Sequence, residues 1–173
     1  MIYYNYDSLV IRSMVKSDAQ KFVDAFTAQN WDKPIELFDG YFNQQKNDEQ
    51  TIIVAEMNKE VAGYVTIFPN STTGPFAFKN IPEIIDLNVL IKFQKIGIGK
   101  KMMEVVEGIV KEKGDLVSLS VGLHSGYGSA QRMYVKLGYI PDGTGVWYKG
   151  KQLEQYTECV NDDDLTLYFS KQL

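Results

Sequence analysis

One cysteine and one histidine are all that this sequence holds of the two commonest transition-metal ligands. Cys159 alone cannot close an intrachain disulfide. Cys159 and His124 together cannot supply the four N/S ligands of a structural zinc site. Long apolar runs are also missing, since none reaches the roughly 20 residues that a bilayer-spanning helix needs. The opening MIYYNYDSLVIRS lacks the basic start, compact apolar stretch and small-residue cleavage site of a secretory signal. A cytoplasmic location without membrane association is therefore expected. Positive charge is in short supply: 18 Lys and Arg stand against 22 Asp and Glu, a net charge of −4, which suits no general nucleic-acid backbone binder. What is present is ordinary for a globular chain. Its 173 residues, 45% apolar and 13% aromatic, fit a single domain able to bury a core without staples.

The hydrophobic pattern marks the elements. Residues 9–13 (LVIRS) read as a strand. Ser17 then opens a capping box with Gln20, and Phe22, Val23 and Phe26 form a helical stripe. Asn30 to Lys33 is a break, and Pro34 suits the first turn of a second helix carrying Ile35, Phe38 and Phe42; polar residues 43–50 end it. Strands at 51–55 and 61–68 flank Asn58-Lys59 as a hairpin. Residues 69–80 form a loop. The nearly continuous apolar run 83–91 fits a strand buried on both faces. A helix over 100–113 ends at Gly114 as a left-handed stop. A strand at 116–123, a short helix at 129–137 and closing strands at 146–148 and 165–169 complete the order β-α-α-β-β-β-α-β-α-β-β. That order predicts a mixed α/β sheet.

The informative segment is Gln94-Lys95-Ile96-Gly97-Ile98-Gly99-Lys100, between the buried strand and an amphipathic helix. Glycines permit tight geometry and close approach of a ligand. The first amides of a helix have no intrahelical partner, and its dipole places positive charge there, so the turn is suited to phosphate. Walker and Rossmann spacings both fail, because Met102 stands where each needs another residue. The glycines alone are equally consistent with a bare strand-to-helix turn.

Three motifs in order decide between these readings. Gln94-x-x-Gly97-x-Gly99 resembles the Q/R-x-x-G-x-G/A signature of the GNAT superfamily of acetyl-CoA-dependent N-acetyltransferases. Leu87-x-Val89 falls where that family carries its L-x-V. Ala130-x-x-Met133-Tyr134-x-x-x-Gly138-Tyr139 is similar to its A-x-x-L-Y-x-x-x-G-F. The resemblance covers almost the whole chain and implies the GNAT-like acyltransferase fold with acetyl-CoA as cofactor. It implies that main-chain groups of Leu87, Asn88 and Val89 pair with the pantetheine arm as an added strand does. It also implies that amides of Lys95, Ile96, Gly97, Ile98, Gly99 and Lys100 hold the pyrophosphate. Side chains of Gln94, Lys95 and Lys100 either contact the cofactor or are simply solvated. One departure stands out: Tyr127 replaces the asparagine often found seven residues before the tyrosine. Ser129 or loop amides would then take over that cofactor contact, unless Ser125 or Ser129 merely caps the helix.

Amine acetylation sets further demands. Deprotonating a lysine-like ammonium at pH 7 costs roughly 4–5 kcal/mol, so the site needs a base or a desolvating pocket. The tetrahedral oxyanion needs a donor, for which the family implies the Val89 amide, and the departing thiolate needs an acid. Tyr134 is the acid candidate, with a core tyrosine as the bland alternative. Glu83, six before Val89 as in some family members, ranks first as base and Asp86 second; solvated strand-end charges are the alternative, and many relatives use a water chain. Strict alternation puts Glu83 and Asp86 on opposite faces, and a bulge would change that count. His124 reads as a surface group more readily than a proton relay, and Cys159 as a bystander.

Trp31 and Asp32 lie between the first two helices, where the family walls its acceptor cleft, and are taken as acceptor-binding candidates. Asp162-Asp163-Asp164 reads as a solvated charge run. The leading expectation is acetyl transfer to a primary amine of a small cationic molecule by direct attack in a ternary complex. A protein or peptide amine, and a non-catalytic acyl-CoA-binding module, are the alternatives, and a homodimer is left open.

Overall fold

Asn58 and Lys59 both take left-handed φ values, 52° and 68°. Such a pair makes the two-residue turn that suits the twist of antiparallel strands. It joins β3 (Thr51–Met57) to β4 (Glu60–Phe68). β-branched residues pack both faces of this hairpin: Ile52, Ile53, Val54, Val61 and Val65 are buried. The computed structural model describes all 173 residues. It divides into two compact units, Met1–Phe68 with Ile85–Ile109, and Pro69–Ile84 with Val110–Leu173.

In the first unit, β1 (Ile2–Tyr6), β2 (Leu9–Ser13), β3, β4 and β5 (Glu83–Val89) follow one another in the sheet. Helices α1 (Asp18–Thr27) and α2 (Ile35–Lys46) separate β2 from β3 in sequence. The core beneath them is aromatic: Phe22 stacks on Phe38 at 5.3 Å, and Tyr64 meets Phe22 edge-on at 5.2 Å. α3 (Ile98–Lys111) anchors itself through Ile98, Met102, Met103 and Val106, all buried. In the second unit the order runs from the first residues of β5 through β6 (Leu116–Gly122), β9 (Leu165–Gln172) and β7 (Ile140–Tyr148) to β8 (Lys151–Gln152). Glu83 and Ile84 pair with β6 in parallel, and β6 pairs with β9 antiparallel. The sheet is thus mixed, as expected, and α4 (Gly128–Lys136) is the fourth helix.

Several local expectations need correction. Ser17 is itself helical and its side chain caps nothing. The buried Asp18 does the capping instead, taking the Val15 amide at 2.9 Å while Arg12 grips both its oxygens at 2.7 and 2.9 Å. α2 continues to Lys46 because Gln45 closes a reciprocal pair with the main chain of Met14, at 2.9 and 3.2 Å. Gly114 does not adopt left-handed φ; α3 ends with the Lys113 and Gly114 amides sharing the Val110 carbonyl. β1 and β8 carry no buried face, so no alternation announces them. β5 is not buried on both faces: Glu83 and Ile84 are buried, but Ile85 is 38% exposed. Asp86 takes φ 52°, which interrupts the pleat.

Candidate functional site

The turn between β5 and α3 is made of main chain. Lys95 has φ 63° and Gly97 φ 93°, and the Lys101 amide reaches back to the Gly97 carbonyl at 3.0 Å. Gly97 is therefore the residue at the helix entrance, and the amides of Ile98, Gly99 and Lys100 form the first turn. Residues Gln94 through Gly97 are exposed, whereas Ile98 is buried and pins the helix start. Open space surrounds the position a Gly97 side chain would take. Gln94 folds back, its amide donating to the Val89 carbonyl at 2.9 Å. It thus braces the end of β5.

Six residues upstream of Lys92, the left-handed residue Asp86 gathers a dense side-chain cluster. Asp86 Oδ2 accepts from Tyr41 Oη at 2.6 Å and from Tyr64 Oη at 2.7 Å. Asp86 Oδ1 accepts from Asn88 Nδ2 at 2.5 Å. Lys33 Nζ donates to Tyr64 Oη at 2.6 Å and stands 3.7 Å from Asp86 Oδ1. Burial pushes both phenols far above the usual tyrosine range, and the Asp86 charge adds to it. Both therefore stay protonated and donate. Burial pulls Lys33 below its ordinary value, against the opposing pull of Asp86. β4 can pass this close only because residue 63 is glycine, since a Cβ there would sit 2.4 Å from the Asn88 carbonyl oxygen. Thr66 Oγ1 donates to the Ile85 carbonyl at 2.9 Å, which bonds one main-chain group beside the left-handed Asp86.

Glu83 has a different setting. It is buried, receives the Ser71 hydroxyl at 2.5 Å, and burial raises its pKa although that bond opposes the rise. Tyr134 is the buried residue of α4, packed edge-on against Tyr139 at 5.9 Å. Burial, then neighbouring Tyr127, holds its phenol well above the ordinary range. Ser129 is exposed, and no side chain caps α4. His124 caps instead the short 3-10 turn Ser125–Tyr127: its Nδ1 accepts from the Gly126 amide at 3.1 Å, so Nε2 carries the proton toward Asp163 at 3.0 Å. Tyr127 Oη donates to the same Asp163 oxygen at 2.9 Å, and its ring covers Gly122. Asp163 and Asp162, which accepts from Tyr148 at 3.2 Å, serve as internal acceptors. Cys159 is exposed.

Of the acceptor candidates, Trp31 is half exposed and stands edge-on to Phe26 at 5.3 Å, with Lys33 Nζ 4.9 Å from its ring centroid. Asp32 is exposed. Trp31 thus joins Asp86 and Asn88 through Lys33, while Gln94 joins Val89. Glu83, Ser129 and Tyr134 belong to the second unit.

The model of the Acetyltransferase (GNAT) family matches residues 15–139, well over half of the chain. The chain belongs to the GNAT family. No curated protein sequence matches it. Among solved structures, the Salmonella typhimurium acetyl transferase that modifies the N-terminal serine of ribosomal protein L7/L12 superposes with a TM-score of 0.74 at 9% identity, covering 100% of this chain and 99% of that one. An N-acetyltransferase from Staphylococcus aureus Mu50 gives 0.70 at 15% identity, covering 96% and 99%. Salmonella typhimurium yncA, with its cofactor acetyl-CoA, gives 0.67 at 13% identity, covering 96% and 94%. At such identities the likeness is one of fold.

GNAT membership brings acetyl-CoA as the cofactor. The turn suits its diphosphate: the first-turn amides of a long helix follow a glycine where an added Cβ would meet open space and whose φ a side chain would strain. No helix is long and apolar enough to cross a membrane. Sequence reasoning passed over Lys33, Tyr41, Tyr64 and Gly63. The only local signal was Gly63, set within the core run Val61 to Val65; Lys33 stands in the polar break between the first two helices and gave none.

Proposed function

We propose that residues 1–173 act as one N-acetyltransferase domain that moves an acetyl group from acetyl-CoA to a primary amine, by direct attack in a ternary complex. The wiring of Asp86 carries this reading. An amine acceptor arrives as an ammonium and must lose a proton. Tyr64 offers a hydroxyl to a donor on one side and hands its own proton to Asp86 on the other, which is a path for that proton. In this reading Asp86 is the base, reached through Tyr64. Glu83, enclosed with Ser71, is held in place as a structural carboxyl.

The amides of Lys95 to Lys100 would hold the diphosphate and the main chain of Leu87, Asn88 and Val89 the pantetheine arm, with the Val89 amide facing the oxyanion. Ser129 would add a contact. Tyr134, kept protonated by burial, would donate to the departing sulfur, whose own basicity rises in the same desolvated surroundings. Trp31 and Asp32 would meet the acceptor, and the small cationic amine remains the favoured class because aromatic faces and carboxylates attract ammonium groups.

The test is free-thiol release from acetyl-CoA across polyamines, aminoglycosides, amino acids and basic peptides, beside calorimetry of acetyl-CoA binding. Release that depends on a small amine supports the reading. Release with basic peptides alone moves the acceptor to protein amines. Tight binding with no release over the whole panel makes the chain an acyl-CoA-binding module.

A further inference from the structure

A lysine on a connecting loop normally extends its ammonium into water. Lys33 does the opposite. Its side chain is only 12% exposed, and its Nζ lies 5.0, 4.9 and 5.3 Å from the ring centroids of Phe26, Trp31 and Tyr64. The same nitrogen donates to Tyr64 Oη and stands 3.7 Å from Asp86. Aromatic faces on several sides and a carboxylate behind a phenol are what an ammonium ligand would require. The chain fills this box with its own amine. Asp86 lies one residue before the Leu87–Val89 stretch, so this amine is tethered close to the main chain assigned above to the thioester arm.

We propose that Lys33 is an internal acceptor, whose Nζ takes the acetyl group from acetyl-CoA when no outside amine competes. The inference rests on the acetyltransferase reading above and adds a modification site to it. In the step, the Lys33 ammonium gives one proton to the Tyr64–Asp86 path. Its freed lone pair forms the C–N bond to the thioester carbonyl carbon. The C–S bond breaks with its electron pair on sulfur, and the second amine proton restores the thiol. The products are Nε-acetyl-Lys33, coenzyme A and one proton. Burial lowers the Lys33 pKa below its ordinary value, which makes the ammonium easier to deprotonate to the nucleophilic amine. The same tether makes attack effectively unimolecular.

The experiment incubates the full chain with saturating acetyl-CoA and no amine, then follows intact mass and maps the acetylated peptides. Calorimetry of acetyl-CoA runs beside it. The expected result is one added acetyl group, located at Lys33, appearing at least about tenfold faster than at exposed Lys95. Lys33→Arg should lose that acetyl group, with a melting scan beside it to show that the variant is folded. Gly97→Glu and Asp86→Asn should each slow it by at least about tenfold. Acetyl-CoA that binds but leaves Lys33 unmodified overturns the inference and spares the reading. So does modification at the rate of Lys95, or modification unaffected by Gly97→Glu, since either is plain chemical acetylation. Absence of acetyl-CoA binding by the wild type overturns both.

Discussion

The turn at residues 94–100 and the cluster around Asp86 share one unit and one stretch of chain, yet they are built on opposite principles. The turn is exposed and owes its character to main-chain amides and two left-handed residues, Lys95 and Gly97. Its side chains serve the scaffold: Ile98 is buried under the helix start and Gln94 turns inward to brace β5. The cluster is half-buried and owes everything to side chains: Lys33 from a connection, Tyr41 from α2, Tyr64 from β4 and Asp86 from β5. A main-chain site tolerates change in sequence and fails when its geometry is spoiled. A side-chain site fails when one donor or acceptor goes.

The largest effect should come from spoiling the turn. In Gly97→Glu a non-glycine residue must hold φ near 93°, and a carboxylate is set where the diphosphate would lie. Strain and like-charge repulsion together should lower acetyl-CoA affinity on the order of a thousandfold in calorimetry. Unchanged affinity would place the diphosphate elsewhere. Next comes the cluster. Asp86→Asn keeps the shape and removes the proton acceptor, so turnover with the best amine should fall about a hundredfold with acetyl-CoA affinity nearly unchanged. If affinity and turnover instead fall together, Asp86 serves binding and the contrast between the two regions is lost. Gly63→Ala tests what holds them in line. A Cβ 2.4 Å from the Asn88 carbonyl oxygen meets backbone that cannot yield cheaply, and overpacking of this kind costs about 1–3 kcal/mol. A lowered melting temperature together with weakened acetyl-CoA binding is expected, and loss of neither would show that β5 moves freely.

The contrast also explains what was legible in the sequence. Glycine spacing, helix entry and the tyrosine of α4 are local features, so the turn and Tyr134 could be read from adjacent residues. The cluster could not, because Lys33, Tyr41, Tyr64 and Asp86 are distant in sequence and meet only after β4 and β5 pair. Strict alternation on β5 was overruled by the left-handed backbone at Asp86. β1 went unread because Ile2 and Tyr6 lie mostly in solvent, leaving no buried face to betray a strand. Ser17 offered a good capping pattern, but Asp18, already held by Arg12, had the better-placed oxygen.

Tyr134 is a third kind of site, one buried side chain presented by a local motif. Tyr134→Phe keeps the ring packing against Tyr139 and removes only the hydroxyl. Thiol release should slow about tenfold, with the KM for acetyl-CoA close to wild type. Burial keeps the phenol protonated well past neutrality, so the wild-type rate should show no loss attributable to its ionisation near pH 8. An unaltered rate in the variant removes Tyr134 as proton donor.

The smallest effect sharpens the comparison most, because Glu83 and Asp86 are both carboxyls of β5 with opposite surroundings. Asp86 is met by two phenols, an amide and an ammonium, whereas Glu83 is met by Ser71 in a buried site. Burial raises the folded-state pKa of Glu83 above its unfolded value, so between the two values the folded chain binds more protons. Stability contributed by this group is then present in acid and declines as pH rises through the raised pKa. Glu83→Gln removes the titration and can still accept from Ser71. Denaturant melts should show the variant gaining on the wild type from acid to neutral pH, while turnover changes little. A flat difference across pH would mean that burial does not raise the Glu83 pKa in the folded chain. A collapse of turnover in Glu83→Gln matching that of Asp86→Asn would hand the role of base to Glu83, because an enclosed carboxyl with one hydroxyl partner would then be carrying the proton that the wired one was built to take.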